Sequence, residues 1–258
     1  MAYLNSWGYD ARSEYYDLEH DNTSDFEFYS RCNLNSSEPI LVVPCGSGRL
    51  LDLFDESFDV YFSDIEEKMV IKIREKLFSR GIIEERAFIS DLFSLPKMRM
   101  YKLVIISAEA IQLFDNDGLR KIIASISNIL MVDGRILIDT AKFTRGERKN
   151  GMPLYYDSAS YYSPPKLNLE KKTCKGDTFQ RFVEQLDLGY MLIFNFHYYL
   201  SGVKINSAKI NIWRISFNEM NVACQENGLF ISGFQNSYVN DKLSDSWDRA
   251  IYEIRWKT

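Results

Sequence analysis

The run Leu41-Val42-Val43-Pro44-Cys45-Gly46-Ser47-Gly48-Arg49-Leu50-Leu51 joins an apolar segment to a glycine turn and then to the start of a helix. Glycine lets a backbone approach a ligand closely. The first N–H groups of the helix that follows are free to meet an anion. Two acids stand in matching places further along: Asp64 closes Val60-Tyr61-Phe62-Ser63, and Asp91 closes Phe88-Ile89-Ser90. If the first two strands are neighbours, a carboxylate at the end of the second can accept both hydroxyls of a ribose. One at the end of the third can accept an adenine amino group while Leu92 packs on the base. Each acid also has a plain structural reading, as a cap on the helix that follows. The three features in order, on successive strand ends, point to a bound nucleoside.

The elements that must position these residues follow from apolar patterning. Short apolar runs at 40–44, 60–63, 87–90, 103–107 and 135–140 read as strands. Helical stretches lie between them: one from Gly48 to Phe54, one from Glu66 to Arg80 with Met69, Ile73, Leu77 and Phe78 as its stripe, and one from Leu119 to Met131 capped by Asp117. Asp133-Gly134 then turns the chain. Nearly all-apolar strands alternating with helices imply a parallel sheet covered on both faces. The character changes after Lys142. Residues 143–176 read as a long loop, too long for a mere connection and so expected to line or cover a site. Runs at 179–186, 191–200 and 208–215 read as antiparallel strands. A helix at 217–227 and two strands, 229–237 and 250–256, complete the chain. The expected organisation is an N-terminal helical lid (1–36), an α/β core with a mostly parallel seven-stranded sheet (37–142 and 214–258), and an antiparallel β insertion after the fifth strand (143–213) that binds the acceptor or makes a dimer.

The bulk properties narrow the partners. The chain has 258 residues and a formal net charge of −5, a surface that does not attract a polyphosphate backbone. The apolar runs are too short to span a bilayer and the N-terminus has no signal-peptide core, so a cytoplasmic protein is expected. Cys32, Cys45, Cys174 and Cys224 are widely spaced, with His20 and His197 the only histidines; neither a zinc site nor a disulfide framework is expected.

Two cofactor classes use a glycine turn of this kind, dinucleotides and S-adenosylmethionine. The dinucleotide fingerprint G-x-G-x-x-G fails here, because its third glycine falls on Leu51. Cys45-Gly46-Ser47-Gly48-Arg49, together with Asp64, Asp91, Tyr101–Ser107 and Asp133-Gly134-Arg135, resembles the class I S-adenosylmethionine-dependent methyltransferases over residues 15–140. The later layout is similar to that of small-molecule members of the glycine and sugar N-methyltransferase type. Tyr15-Tyr16-Asp17 resembles their N-terminal Tyr-Asp motif, which implies that Tyr16 closes over the methionine end of the cofactor. The resemblance implies a Rossmann-like fold and a cofactor set of Tyr16, Cys45, Gly46, Ser47, Gly48, Arg49, Asp64, Ile65, Asp91, Leu92 and Ser107. Three positions depart from the family pattern. Val42 stands where an acid is usual, removing a hydrogen-bond anchor for the turn, Pro44 stands where glycine is usual, and Leu113 stands where sugar-type relatives often carry histidine.

The acceptor end is less defined. The segment after the fourth strand, Ser107-Ala108-Glu109-Ala110-Ile111-Gln112, is implied to face the transferred methyl. Glu109 is the local candidate for a base or ammonium anchor, and Gln112 for orienting a polar acceptor. His197, with Asn195 and Tyr199 on one face of its strand, is a second candidate base; its plain reading is a hydrogen-bonded sheet histidine. Tyr155 and Tyr156 in the long loop could wall the acceptor. The (D/N/S)-P-P-aromatic motif of nucleic-acid amino-methylases is absent after the fourth strand, Pro44-Cys45 is misplaced for cytosine methylation, and Asp115-Asn116-Asp117 lies too far along to hold a catalytic metal. The expected function is metal-independent transfer of a methyl group from S-adenosylmethionine to N or O of a small molecule, by a monomer or homodimer. A catalytically silent cofactor-binding module and a cyclase or isomerase on the same fold remain open.

Overall fold

In the computed structural model, which describes residues 15–20, 23, 25–32, 34–141, 161–235, 238 and 249–257, the apolar runs form strands β1 (Ile40–Val42), β2 (Val60–Asp64), β3 (Ala87–Ile89), β4 (Tyr101–Ile106) and β5 (Leu130–Ala141). With β10 (Leu229–Gln235) and β11 (Arg249–Trp256) they make a seven-stranded sheet in the order β10-β11-β5-β4-β1-β2-β3. The pairs from β3 to β5 are parallel, and β11 runs antiparallel to both neighbours. β1 pairs with β2 on one side and β4 on the other, so the winding reverses at the end of β1. Ligands of open α/β sheets bind outside the carboxyl ends of strands at such a switch point.

Strand residues alternate between two apolar layers. Leu41, Val104, Ile106, Ile136 and Ile138 pack on the side of helices Asn116–Ser127 and Phe217–Gln225. Ile40, Val42, Phe62, Leu103 and Ile105 pack with Val70, Ile73 and Leu77 of helix Glu67–Ser79, and with Phe28 and Tyr29 of the short helix Phe26–Ser30. The sheet is thus buried on both faces, as its apolar strands require.

Several local expectations are corrected. The helix expected from Gly48 to Phe54 is shorter, a 3-10 helix over Arg49–Leu53. Helix Asn116–Ser127 is capped by Asp115, which accepts from the N–H of Gly118 at 2.8 Å, and not by Asp117. Asp133-Gly134 does not separate two elements: β5 runs through it, with an irregularity that lets Tyr101 pair with Leu130 and Leu103 with Arg135. Residues 161–172, expected as loop, form strand β6 (Tyr161–Lys172). Pro164 and Pro165 misled the reading; they fall where the pairing shifts register, on an edge strand that tolerates lost N–H donors.

The chain divides into two compact units, 22–142 with 215–258 and 1–21 with 143–214. The N-terminal segment is therefore split: helix Phe26–Ser30 belongs to the seven-stranded unit, and only residues before 22 belong with the insertion. That second unit is a four-stranded antiparallel sheet of β6, β7 (Thr178–Asp187), β8 (Met191–Leu200) and β9 (Val203–Trp213). Helix Tyr16–Glu19 is fastened to it by Tyr15 stacked on Phe179 at 4.9 Å and by Arg181 bonded to Glu19 at 3.0 Å.

Gly48 is required by packing as well as by its φ of +85°. A Cβ there would lie 2.8 Å from Cγ1 and Cδ1 of Ile73. Gly48→Ala combines a left-handed L residue with overpacking, and should cost about 2 kcal/mol or more in urea denaturation. Adding Ile73→Val, which removes one of the two clashing atoms, should return part of the loss.

Candidate active site

The glycine turn sits at the switch point and is held from both sides. The N–H of Val43 donates to Ile105 O at 3.0 Å, and that of Cys45 to Ser63 O at 2.8 Å. The N–H of Gly46 donates to Asp64 Oδ2 at 2.8 Å, and the N–H of Glu66 to Asp64 Oδ1 at 3.0 Å. Val42 is 1% exposed, packed in the core. The anchoring that the missing acid would have provided at that position is supplied by Asp64 across the strand pair. Burial raises the Asp64 carboxyl above its ordinary range, and the backbone N–H donors oppose that rise. Each carboxylate oxygen keeps a second lone pair, so hydroxyl donors can still be accepted.

Cys45 and Ser47 are buried within the turn. Burial pushes the Cys45 thiol up, so it is no thiolate nucleophile. Ser47 O accepts from Lys76 Nζ at 2.9 Å. Arg49 makes two bonds of 2.6 Å to the carboxylate of Asp25, a bidentate pair that fastens the helix Phe26–Ser30 to the turn. Asp91 caps the 3-10 helix Leu92–Ser94 through the N–H of Phe93 at 2.9 Å. Leu92 is buried beside it, and Ile65, directly after Asp64, is 58% exposed. An acid at the end of β2 and an acid past the end of β3 are acceptors suited to the hydroxyl and amino donors of a nucleoside, with open apolar surface at Ile65 between them.

After β4 the chain passes Ser107, which is buried, and enters the left-handed region at Ala108 and Glu109, both with φ of 56°. Conformations of this kind cost L residues roughly 1–2 kcal/mol each. Glu109 pairs with Arg249 of β11, and its N–H donates to Asp139 Oδ1 at 3.1 Å. Gln112 is only 1% exposed. Its amide oxygen accepts from Ala141 N at 2.7 Å and its amide nitrogen donates to Ala141 O at 3.2 Å. The side chain expected to orient an acceptor instead clasps the end of β5.

The sequence did not single out Asp139, Tyr238, Tyr29, Asp25 or Arg249, which surround this segment. Asp139 has no exposed surface, and its Oδ2 accepts the Tyr238 hydroxyl. Burial pushes the Asp139 carboxyl up to about 7, partly offset by the Tyr238 hydrogen bond. Burial likewise raises the Tyr29 and Tyr238 hydroxyls and lowers Arg249. The signal available in the sequence was Asp139 itself: an acid ending the apolar strand Ile136-Leu137-Ile138.

The remaining candidates lie in the four-stranded unit or outside the described residues. Tyr16 packs on His20 with ring centroids 4.3 Å apart. His197 Nδ1 lies 3.1 Å from Ser207 Oγ, and its Nε2 is 3.8 Å from Glu184. Glu184 also accepts from Tyr162 Oη at 2.6 Å and Asn195 Nδ2 at 3.0 Å. Phe196 and Tyr198 face the opposite, apolar side with Phe179. Tyr155 and Tyr156 lie outside the described residues. Among the described residues no group of three or more His, Cys, Asp or Glu side chains could hold a metal ion, and no helix is long and apolar enough to cross a membrane.

A carboxyl whose pKa is higher in the folded than in the unfolded chain stabilises the fold most below its unfolded value, and that contribution is lost as pH rises through the folded value. For Asp139 the window runs from about 4, the unfolded value, to about 7. Thermal denaturation of the wild type and of Asp139→Asn across this range should show the difference moving steadily in favour of the variant as pH rises.

Residues 40–134 match the family model described as a methyltransferase domain. No curated protein sequence matches the chain. Among solved structures, an S-adenosylmethionine-dependent methyltransferase from Clostridium acetobutylicum is 17% identical, covers 97% of this chain and 99% of its own, and superposes with a TM-score of 0.74. The CcbJ methyltransferase from Streptomyces caelestis is 15% identical with 91% and 90% covered and a TM-score of 0.69. The sugar N-methyltransferase KedS8 from Streptoalloteichus is 15% identical with 94% and 91% covered and a TM-score of 0.64. Residues 40–134 thus match a methyltransferase domain lying over the switch point, and the whole chain has the fold of these S-adenosylmethionine-dependent methyltransferases.

Proposed function

We propose that this chain transfers the methyl group of S-adenosylmethionine to N or O of a small-molecule acceptor, by in-line displacement and without a metal. The observation that carries the reading is the alignment of Gly46, Asp64 and Asp91 at the carboxyl ends of three adjacent strands at the switch point. In this reading Asp64 accepts the ribose hydroxyls, Asp91 the adenine amino group, and Ile65 and Leu92 give the base an apolar bed. The turn 45–49 and Ser107 border the methionine end. The cofactor supplies a methyl on a sulfonium whose leaving group is a neutral thioether. The chain's own task is alignment, which can account for several kcal/mol of barrier lowering.

Glu109 directly follows β4, and its side chain is 29% exposed. It is assigned to hold an ammonium or take a proton once it exchanges Arg249 for the acceptor. His197 is the alternative base. A net charge of −5 favours a small acceptor over nucleic acid, and a cytoplasmic setting is part of the same reading. The edge strand β9 exposes Val203 and Ile205, where a second copy could add to the sheet as a homodimer.

Calorimetric titration with adenosylhomocysteine tests the cofactor site. The wild type should bind in the micromolar range, and Asp64→Asn and Asp91→Asn should each weaken binding about tenfold or more, a loss of about 1.4 kcal/mol. Mass spectrometry of a panel of amines and phenols incubated with S-adenosylmethionine tests the reaction. Methylated product supports transfer; tight binding with no product across the panel identifies a silent module instead.

A further inference from the structure

Ala108 and Glu109 are consecutive non-glycine residues at φ of 56°, and backbone in that region persists only where its surroundings over-determine it. The surroundings are specific. Contacts from the ends of β5 and β11 reach the segment: the Glu109 N–H to Asp139 Oδ1 at 3.1 Å, the Glu109 carboxylate to Arg249, and the Gln112 amide to Ala141 at 2.7 and 3.2 Å. Of these, only the bond to Asp139 reaches the backbone at the turn itself. Asp139 is fully buried, and its other oxygen is fixed by the hydroxyl of Tyr238. A buried carboxylate with both oxygens occupied has a set position, and it transmits that position to the N–H it accepts.

We propose that Asp139 is a positioning residue of the transfer site: through the N–H of Glu109, its carboxylate holds the Ala108–Glu109 turn in the left-handed conformation that shapes the wall facing the methyl donor. It touches no reacting atom. The turn-holding stands on the geometry alone; its consequence for methyl transfer rests on the proposed function. Glu109, whose side chain is the candidate base or ammonium anchor, thereby has its backbone fixed by a residue on another strand. A carboxylate at 139 therefore sets where the 109 side chain is presented to an acceptor.

Hydrogen–deuterium exchange of the full chain, read by mass spectrometry without ligand, tests the holding. Asp139→Ala should speed exchange in peptides spanning 107–113 about tenfold or more, while those spanning 67–79 keep wild-type protection. Asp139→Asn retains an acceptor oxygen and should stay within about threefold of wild type. Should Asp139→Ala fail to fold, Asp139→Ser, too short to reach the Glu109 N–H, should give the same acceleration. Unchanged exchange at 107–113 in the alanine or serine variant, or acceleration shared equally with 67–79, overturns the proposal. Adenosylhomocysteine affinity separates the two levels: the alanine variant should bind within about threefold of wild type, because Gly46, Asp64 and Asp91 are untouched. A wild type that does not bind it at all refutes the proposed function and leaves the exchange result standing; a variant that loses binding while exchange is unchanged refutes the positioning role alone.

Discussion

The carboxylate of Asp64 accepts one N–H from Gly46 and another from Glu66, and through these two bonds the end of β2 fixes both the turn after β1 and the approach to helix Glu67–Ser79. The group is almost wholly buried, so its charge is tolerable only because donors are aimed at it. That requirement settles the local backbone: the turn must present Gly46 N–H toward β2, and Gly48 must leave space for Ile73. One buried charge thus anchors the turn from the neighbouring strand, while Val42 packs in the core beneath it.

A second buried polar system surrounds the end of β5. Asp25, Tyr29, Arg49, Glu109, Asp139, Tyr238 and Arg249 come from six separate stretches of chain, and ion pairs or hydrogen bonds link Asp25 to Arg49, Glu109 to Arg249 and to Asp139, and Asp139 to Tyr238. Apolar replacement of such groups is often neutral for stability, whereas removing one partner is strongly destabilising. Stability alone therefore gives little reason for a cluster of this size in a small core. What the cluster does is hold backbone: Asp25 holds Arg49 beside the glycine turn, and Asp139 and Arg249 hold Glu109 after β4.

The divide between what could be read from the sequence and what could not follows the range of the interactions. β1 to β5, helix Glu67–Ser79 and the antiparallel strands were legible because apolar periodicity is local. The glycine turn, Asp64 and Asp91 were legible because each ends a strand in a fixed order. β6 was missed because adjacent prolines outweigh strand propensity over a short window, although an edge strand with shifted register accommodates them. The cap at Asp115 was placed two residues late because Asp117 also precedes the apolar stripe. Arg49 looked like a ligand contact and is held by Asp25, twenty-four residues earlier; Gln112 looked free and is spent on Ala141. Pairings across such separations leave no pattern in the chain.

His197 shows where period-two reasoning stops. It assigns the residue to the face opposite Phe196 and Tyr198, and the apolar cluster around Phe179 and Tyr198 agrees. The reasoning says nothing of what shares that face. The answer is Glu184, which faces Asn195 across β7 and β8 and gathers Tyr162, Asn195 and His197 around one carboxylate. Hydrogen bonds from Tyr162 and Asn195 hold the Glu184 carboxyl below its usual range, so the group beside His197 is an anion over most of the accessible pH range. These contacts satisfy His197 as a hydrogen-bonded sheet residue. Glu109, by contrast, is tied to the ends of β5 and β11, in the segment that follows β4.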